Sequence, residues 1–338
     1  MRKRLGLVMT ASLALATCAH GPRAIQTQPV ARYGQLSVAG HRIVDRNGNA
    51  VQLAGMSLFW SVWGGERFFN ADVVRWLASD WRCSVVRAPV AVEPTGGMLT
   101  HPDAAKARVR TVVDAAIEQG LYVIIDWHEE HADQHVADAQ AFFEAMAKDY
   151  GRQPNVLFEL WNEPAGNDAP IPTWADIKNY AEKVIPVIRK YSPNLIVVGT
   201  PFWSQRVDQA ADDPIAGPNI AYALHFYAGS HGRDLREKAD YALSRGVPLF
   251  ITEWGTTNAD GGNSDKKVYV GAAQEWLDWA TRHQLSWANW SVMDKQEASS
   301  ILFHDDETED DPDKGGWEKH RLTESGRWVR EKIRQAAR

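Results

Sequence analysis

Two short segments, ELWNEP at 159–164 and ITEWG at 251–255, each set a glutamate, Glu163 or Glu253, at the end of an apolar run. Two carboxyl groups facing each other across a bond can cleave an acetal. One acts as acid and protonates the departing oxygen; the other, as carboxylate, meets the oxocarbenium-like carbon. Glutamate serves both roles when the two environments push the proton affinities apart. Arg87 beside one glutamate would hold it ionised, while a partly desolvated neighbour would keep its proton. Glu159, in the same segment as Glu163, reads as a structural strand residue rather than a third acid. A second cluster, WHEEHADQHV at 127–136, holds three histidines and three acids and raises the question of a metal. Its HEEH spacing is not the HExxH that places two histidines on one helix face for zinc. The expectation is therefore no metal and no cofactor, with His128 as the useful histidine and Glu129, Glu130, His131 and Asp133 in a solvated loop.

Positioning such groups requires a scaffold, and the pattern of the chain supplies one. Eight apolar runs alternate with helix-like stretches: VQLAGMSLF, CSVVRAPV, YVIIDWH, NVLFELWN, LIVVGTP, IAYALHFY, PLFITEWG and SWANWSVM. Each is short and nearly continuous in apolar residues, as in parallel strands buried on both faces. The stretches between them include ADVVRWLASD, DAAKARVRTVVDAAIEQG, AQAFFEAMAKDYG and WADIKNYAEKVIPVIRKY. Eight strand–helix units in this length predict an α/β protein of the (β/α)8 TIM barrel class. A short N-terminal β-hairpin precedes it, in GQLSVAGHRIVDRNGNAVQL, with RNGN as its turn. An open doubly wound sheet is the alternative, but no Gly-rich phosphate loop follows the first strand. Polar or aromatic residues end six of the runs: Arg87, His128, Asn162 with Glu163, His225 with Tyr227, Glu253, and Trp290. In a barrel these ends converge on the face where such enzymes work.

The bulk properties narrow the partners. Among 338 residues, 44% are hydrophobic and 24% charged, and the formal charge of −6 argues against nucleic acid or an anionic membrane. The 15 tryptophans exceed what a core needs and suit a groove for flat sugar faces. MRKR followed by LGLVMTASLALA reads as an export signal at 1–21, too short to span a bilayer. Two cleavage sites compete: one near Ala16, and a lipoprotein-type cut that would leave a lipid anchor on Cys18. Residues 22–32 read as a tether and 33–338 as the catalytic domain. Cys83, alone once Cys18 is assigned to the signal, is expected as a buried free thiol. The acidic stretch DDETEDDPDK (305–314) lacks the EF-hand spacing and reads as a solvated loop.

At this point GMSLFW, DWRCSVVRAPV, YVIIDWHEEHA, ELWNEP, VGTPFWSQRVD, ALHFYAGSH, ITEWGTTNADG and WANWSVMDKQEASS together resemble glycoside hydrolase family 5 and its bacterial endoglucanase branch. They cover nearly everything from residue 36 onward. The resemblance implies Glu163 as acid/base and Glu253 as nucleophile of a retaining endo-β-1,4-glucanase. It implies Asn162 on the sugar 2-hydroxyl, with Arg87, His128, His225 and Tyr227 orienting the glutamates and the sugar. Trp290 would stack on that sugar, Lys295 and Glu297 would bind glucose hydroxyls, and Trp63 and Trp203 would wall the cleft. Many relatives carry a histidine where this chain has Phe59, and a tyrosine where it has Ala91, which bears on sugar preference. The expected partner is a β-glucan polysaccharide or oligosaccharide, acted on by an exported monomer, secreted or periplasmic. Mixed-linkage β-glucan, xyloglucan or mannan are alternative substrates, and a non-catalytic carbohydrate-binding barrel is the alternative from another class.

Overall fold

The eight apolar runs close on one another as staves. In the computed structural model, which describes residues 28–165, 170–304, 312–317 and 321–337, β3 (Ala54–Leu58) pairs on one side with β4 (Val85–Ala91) and on the other with β10 (Trp287–Val292). Between them follow β5 (Tyr122–His128), β6 (Val156–Glu159), β7 (Ile196–Val198), β8 (Ile220–Tyr227) and β9 (Leu249–Gly255). All pairs are parallel and the ring is closed, so the sheet has no free edge. The intervening helices, among them Pro102–Gln119, Val136–Tyr150 and Trp174–Arg189, pack around the outside. Local chemistry starts them. Thr173 and Asp176 form a reciprocal capping box at the head of Trp174–Arg189, worth about 1 kcal/mol. Asn70 caps Ala71–Trp76, and the expected continuation through LASD winds instead into a wider π turn, Leu77–Trp81.

The hairpin is present but its turn lies elsewhere. β1 (Ser37–Ala39) and β2 (Arg42–Val44) are joined through Gly40, whose φ is +60°. RNGN makes the next turn, folding back so that Val44 bridges to Ala50. There the Asp45 carboxylate accepts the backbone N–H groups of Asn47 and Asn49, a local bond that competes with strand pairing. Within the stretch 22–32 read as a tether, the described part is not extended. Pro29–Tyr33 is a helical turn, anchored by the Val30 N–H on the Gly120 carbonyl. The export segment and the start of the tether lie outside the described residues. No helix among the described residues is long and apolar enough to cross a membrane.

Two apolar clusters result. The larger sits between staves and helices. The smaller fills the barrel floor, where Leu36, Ile43, Val51 and Leu53 from the N-terminal segment meet Val85, Tyr122, Ile124, Leu157, Ala223 and Phe250. The Tyr122 hydroxyl donates to the Gly34 carbonyl at 2.6 Å, tying floor to hairpin.

Candidate active site

Strand side chains alternate, so the residue two positions beyond each floor residue points the same way. Those residues are Arg87, Asp126, Glu159, His225 and Thr252, and all are buried. The sequence thus changes from an apolar floor to a polar layer in one step along five staves, ionisable on four of them. Arg87 holds the layer together. Its Nε donates to Glu159 at 2.7 Å, Nη1 to Glu253 at 2.9 Å, and Nη2 to Asn162 Oδ1 at 2.6 Å and Asp126 at 2.9 Å. Burial alone would lower its proton affinity, but Asp126, Glu159 and Glu253 outweigh that and raise it. Expected to orient the glutamates and the sugar, Arg87 is fully covered beneath the glutamates, where it bonds Glu253, Glu159, Asp126 and Asn162.

Above this layer stand the two candidate carboxylates. Glu163 Oε1 and His225 Nδ1 share a hydrogen bond at 2.9 Å, and Glu253 accepts from the Tyr227 hydroxyl at 2.7 Å as well as from Arg87. Tyr227 reaches it because residue 255 is glycine: a Cβ there would sit 2.3 Å from the tyrosine ring. Oxygens of Glu163 and Glu253 lie within 4.8 Å of each other. That is the close spacing of a nucleophile and an acid/base, short of the roughly 6.5–9.5 Å that leaves room for a water between carboxyls. Burial, then the neighbouring Glu253, pushes the Glu163 carboxyl up to about 7 despite the opposing pull of His225. For Glu159 burial acts upward too, but Arg87 and His225 outweigh it and hold it down at about 2. Burial disfavours charge on His225, yet the carboxylates of Glu159, 3.7 Å from its Nε2, and of Glu163 raise its proton affinity. His128, buried beside Arg87, is held well below the ordinary histidine range, and its Nδ1 bonds Asp126 at 2.6 Å.

The groups open into a cleft of about 700 Å³. Trp290 stacks parallel to His128 at 5.3 Å on one wall, with Phe59 tilted against it; the Trp290–Ser291 peptide is cis. Trp63, 62% exposed, leans over Trp60, and Trp60 meets His128 edge-on at 4.1 Å. Lys295 pairs with Glu297 at 2.8 Å on the rim. Opposite stand Phe202 and Trp203, on a turn where Phe202, Trp203 and Ser204 all take positive φ. Such a backbone costs about 1–2 kcal/mol per residue. Bonds to the Glu163 segment hold it: Trp203 N–H on Pro164 O at 3.1 Å, and Ser204 Oγ on Asn162 O at 2.7 Å. Trp63, His128, Asn162, Trp203, His225, Tyr227, Trp290, Lys295 and Glu297 all line the cleft with the two glutamates.

Trp60, Phe202, Gln205, His231 and Asp260 line it too, and the sequence does not single them out for it. Trp60 and Phe202 flank singled-out tryptophans; the other three carry no signal beyond lying in loops after strands. The loop after His128 also departs from expectation. Glu129 is buried, not solvated, because Trp127 Nε1 donates to one of its oxygens at 2.5 Å and His135 bonds the other. Among the described residues, two groups bring three metal-binding atoms within 4.8 Å: Glu93, Glu129 and His135, and Glu163, His225 and Glu253. In the first, both Glu129 oxygens are already engaged by protein donors. In the second, both ring nitrogens of His225 are engaged, on Glu163 and on Thr252. Both sets work as hydrogen-bonded carboxylate–imidazole groups.

A barrel with this pair of glutamates invites comparison with known proteins. The family model for cellulase, glycosyl hydrolase family 5, matches residues 44–296. The chain belongs to this family. Within it, the chain is 46% identical over 299 residues to Endoglucanase Z of Dickeya dadantii, covering 87% of this chain and 65% of that protein. It is 44% identical over 295 residues to Endoglucanase A of Evansella cellulosilytica, covering 86% and 58%. The chain therefore spans between 58% and 65% of the length of these two relatives. Among solved structures of the fold, one from Cytophaga hutchinsonii superposes with a TM-score of 0.86 at 45% identity, covering 92% of this chain and 97% of that one. A variant catalytic domain of Thermobifida fusca endoglucanase Cel5A, in complex with cellotetraose, gives 0.82 at 32% identity, covering 91% and 99%.

Proposed function

We propose that this family 5 chain is a retaining endo-β-1,4-glucanase acting on cellulose chains or soluble β-glucan. The observation that carries the reading is the pair of carboxyls, close enough for double displacement and differently surrounded, at the centre of an open, aromatic-walled cleft. In the first step Glu253 attacks the anomeric carbon while Glu163 gives its proton to the departing glycosidic oxygen. The carbon–oxygen bond breaks, and a glycosyl ester to Glu253 forms. In the second, Glu163 takes a proton from water, whose oxygen displaces Glu253 and restores both groups. Arg87 and Tyr227 aim the Glu253 oxygens, and the elevated Glu163 keeps its proton available up to pH about 7. Asn162, fixed by Arg87, offers its amide to the sugar 2-hydroxyl, and Trp290 a stacking face. A cleft of about 700 Å³ walled by aromatic side chains suits a polymer of sugar rings.

The test is viscosity and reducing-sugar release from carboxymethyl cellulose by wild type and Glu253→Gln. Fast thinning by wild type and a loss of about 10⁴ or more in the variant are expected. Equal rates would sink the assignment of Glu253. With no action on cellulose by either protein, the substrate is sought among mixed-linkage β-glucan, xyloglucan and mannan, where Phe59 in place of histidine would matter. Binding of glucan with no turnover on any of them would make the barrel a carbohydrate-binding module. The basic and apolar N-terminal segment supports export. Mass spectrometry of the mature N-terminus distinguishes a cut near Ala16 from lipidation at Cys18.

A further inference from the structure

Thr252 and Glu159 are fully buried, and the double displacement described above gives neither a role. Their geometry fixes the direction of every hydrogen bond behind Glu163. Glu159, clamped by Arg87 Nε at 2.7 Å, is a carboxylate and only accepts. Thr252 Oγ1 lies 2.5 Å from Glu159 Oε1, so its single hydrogen points there. The oxygen of Thr252 is then left to accept, and its other neighbour is His225 Nε2 at 2.9 Å. His225 must therefore carry its hydrogen on Nε2 in either protonation state. Its other nitrogen, Nδ1, faces Glu163 Oε1 at 2.9 Å.

The consequence concerns the proton between Nδ1 and Glu163. With Nε2–H fixed, removing that proton sets a nitrogen lone pair against a carboxylate oxygen. An unlocked imidazole would escape by moving its remaining hydrogen to Nδ1 and donating to the carboxylate. The lock forbids this relief and so makes the shared proton harder to lose. We propose that Thr252 is a positioning residue: bridging Glu159 and His225 Nε2, it fixes the imidazole tautomer and thereby keeps the Glu163 acid loaded. This rests on the reading of Glu163 as the acid. The other charged or titratable groups around His225 are Glu253 beside Thr252, Arg87 on β4, Asp126 and His128 on β5, and Tyr227 on its own strand. All of them are unchanged by a substitution at 252.

The experiment compares wild type, Thr252→Val and Thr252→Ser on two probes, cellotetraose and 2,4-dinitrophenyl β-cellobioside, across pH. The first probe has a poor leaving group and needs the acid; the second does not. For Thr252→Val, the basic limb of kcat/KM on cellotetraose should move to lower pH by about one unit, the equivalent of one ordinary hydrogen bond. Above the limb this is a loss of about ten-fold, while the dinitrophenyl substrate stays within about three-fold. Thr252→Ser restores the limb. Thr252→Ala, smaller and unable to overpack, must shift it as Val does. An unmoved limb, or equal loss on both probes, overturns the lock and leaves Thr252 a packing residue. Wild type that turns over the dinitrophenyl probe but shows no acid-dependent limb on cellotetraose would instead overturn the assignment of Glu163.

Discussion

Replacing Arg87 by lysine keeps the charge and removes the fork, which makes it the sharpest perturbation of the buried layer. The guanidinium reaches Glu159, Glu253, Asn162 and Asp126 at 2.6–2.9 Å from three nitrogens in one plane. A lysine ammonium is a single point at the end of a flexible stem and cannot span four acceptors spread around that plane. If it keeps two, two charge-assisted bonds are lost, at about 1.5–3 kcal/mol each. The total, about 3–6 kcal/mol, agrees with the cost of breaking a buried pair. At about 2–4 °C per kcal/mol, Tm should fall by roughly 6–24 °C, readable by calorimetry at pH 6. The folded fraction should also lose kcat by about 10²–10³, as when one oriented donor is removed from a developing charge. KM should change little, since Arg87 is covered and does not line the cleft. A Tm within about 2 °C of wild type together with kcat within ten-fold would refute the claim that the fork holds the layer.

The same layer predicts a response to acid. Arg87 and His225 depress Glu159 to about 2, so the stability it contributes is fully present above its ordinary value of 4.5. That stability is lost as pH falls from 4.5 toward 2; Tm against pH in wild type and Glu159→Gln should show a slope there that the variant lacks. Trp203→Ala should raise KM on carboxymethyl cellulose about five-fold with kcat within about three-fold, the worth of one stacking contact. A matching fall in kcat would mean that Trp203 instead orients Glu163. Cys83 is buried and its thiol affinity for the proton is raised by desolvation. Ellman's reagent should therefore label it only after denaturant is added, and prompt labelling of native protein would contradict the packing.

The legible part of the sequence is whatever leaves a local mark. IAYALHFY and YVIIDWH appear as strands with the bounds their apolar runs suggest. A polar residue closing an apolar run marks a stave end, and that is enough to gather Glu163, His225, Tyr227 and Glu253. Relations between distant segments leave no such mark. Glu129 reads as an exposed acid in a polar loop, yet Trp127 and His135 bury it. Phe202–Ser204 sit in an ordinary-looking PFWS, and only the carbonyls of Asn162 and Pro164 explain their left-handed turn. RNGN is a strong turn signal and does turn, but Gly40 closes the hairpin first. Arg87 reads as a strand-end residue that orients the glutamates and the sugar; its full burial beneath the glutamates is a matter of register between staves, which leaves no local mark.

The barrel floor is also insulation. Leu36, Ile43, Val51 and Leu53, all on the far side of the charged layer from the cleft, stop water from rising beneath Arg87, Asp126 and Glu159. Attractions among those charges are several times stronger in a dry interior than against solvent. A protein trimmed to begin after the hairpin would keep every residue of the cleft and every stave. It would nevertheless lose Leu36 and Ile43 from beneath the charged layer, thinning the apolar seal that keeps the proton affinity of Glu163 apart from those of its neighbours. The hairpin is thus electrically part of the active site, and a boundary drawn by sequence alignment alone, at residue 44 for instance, would cut through it.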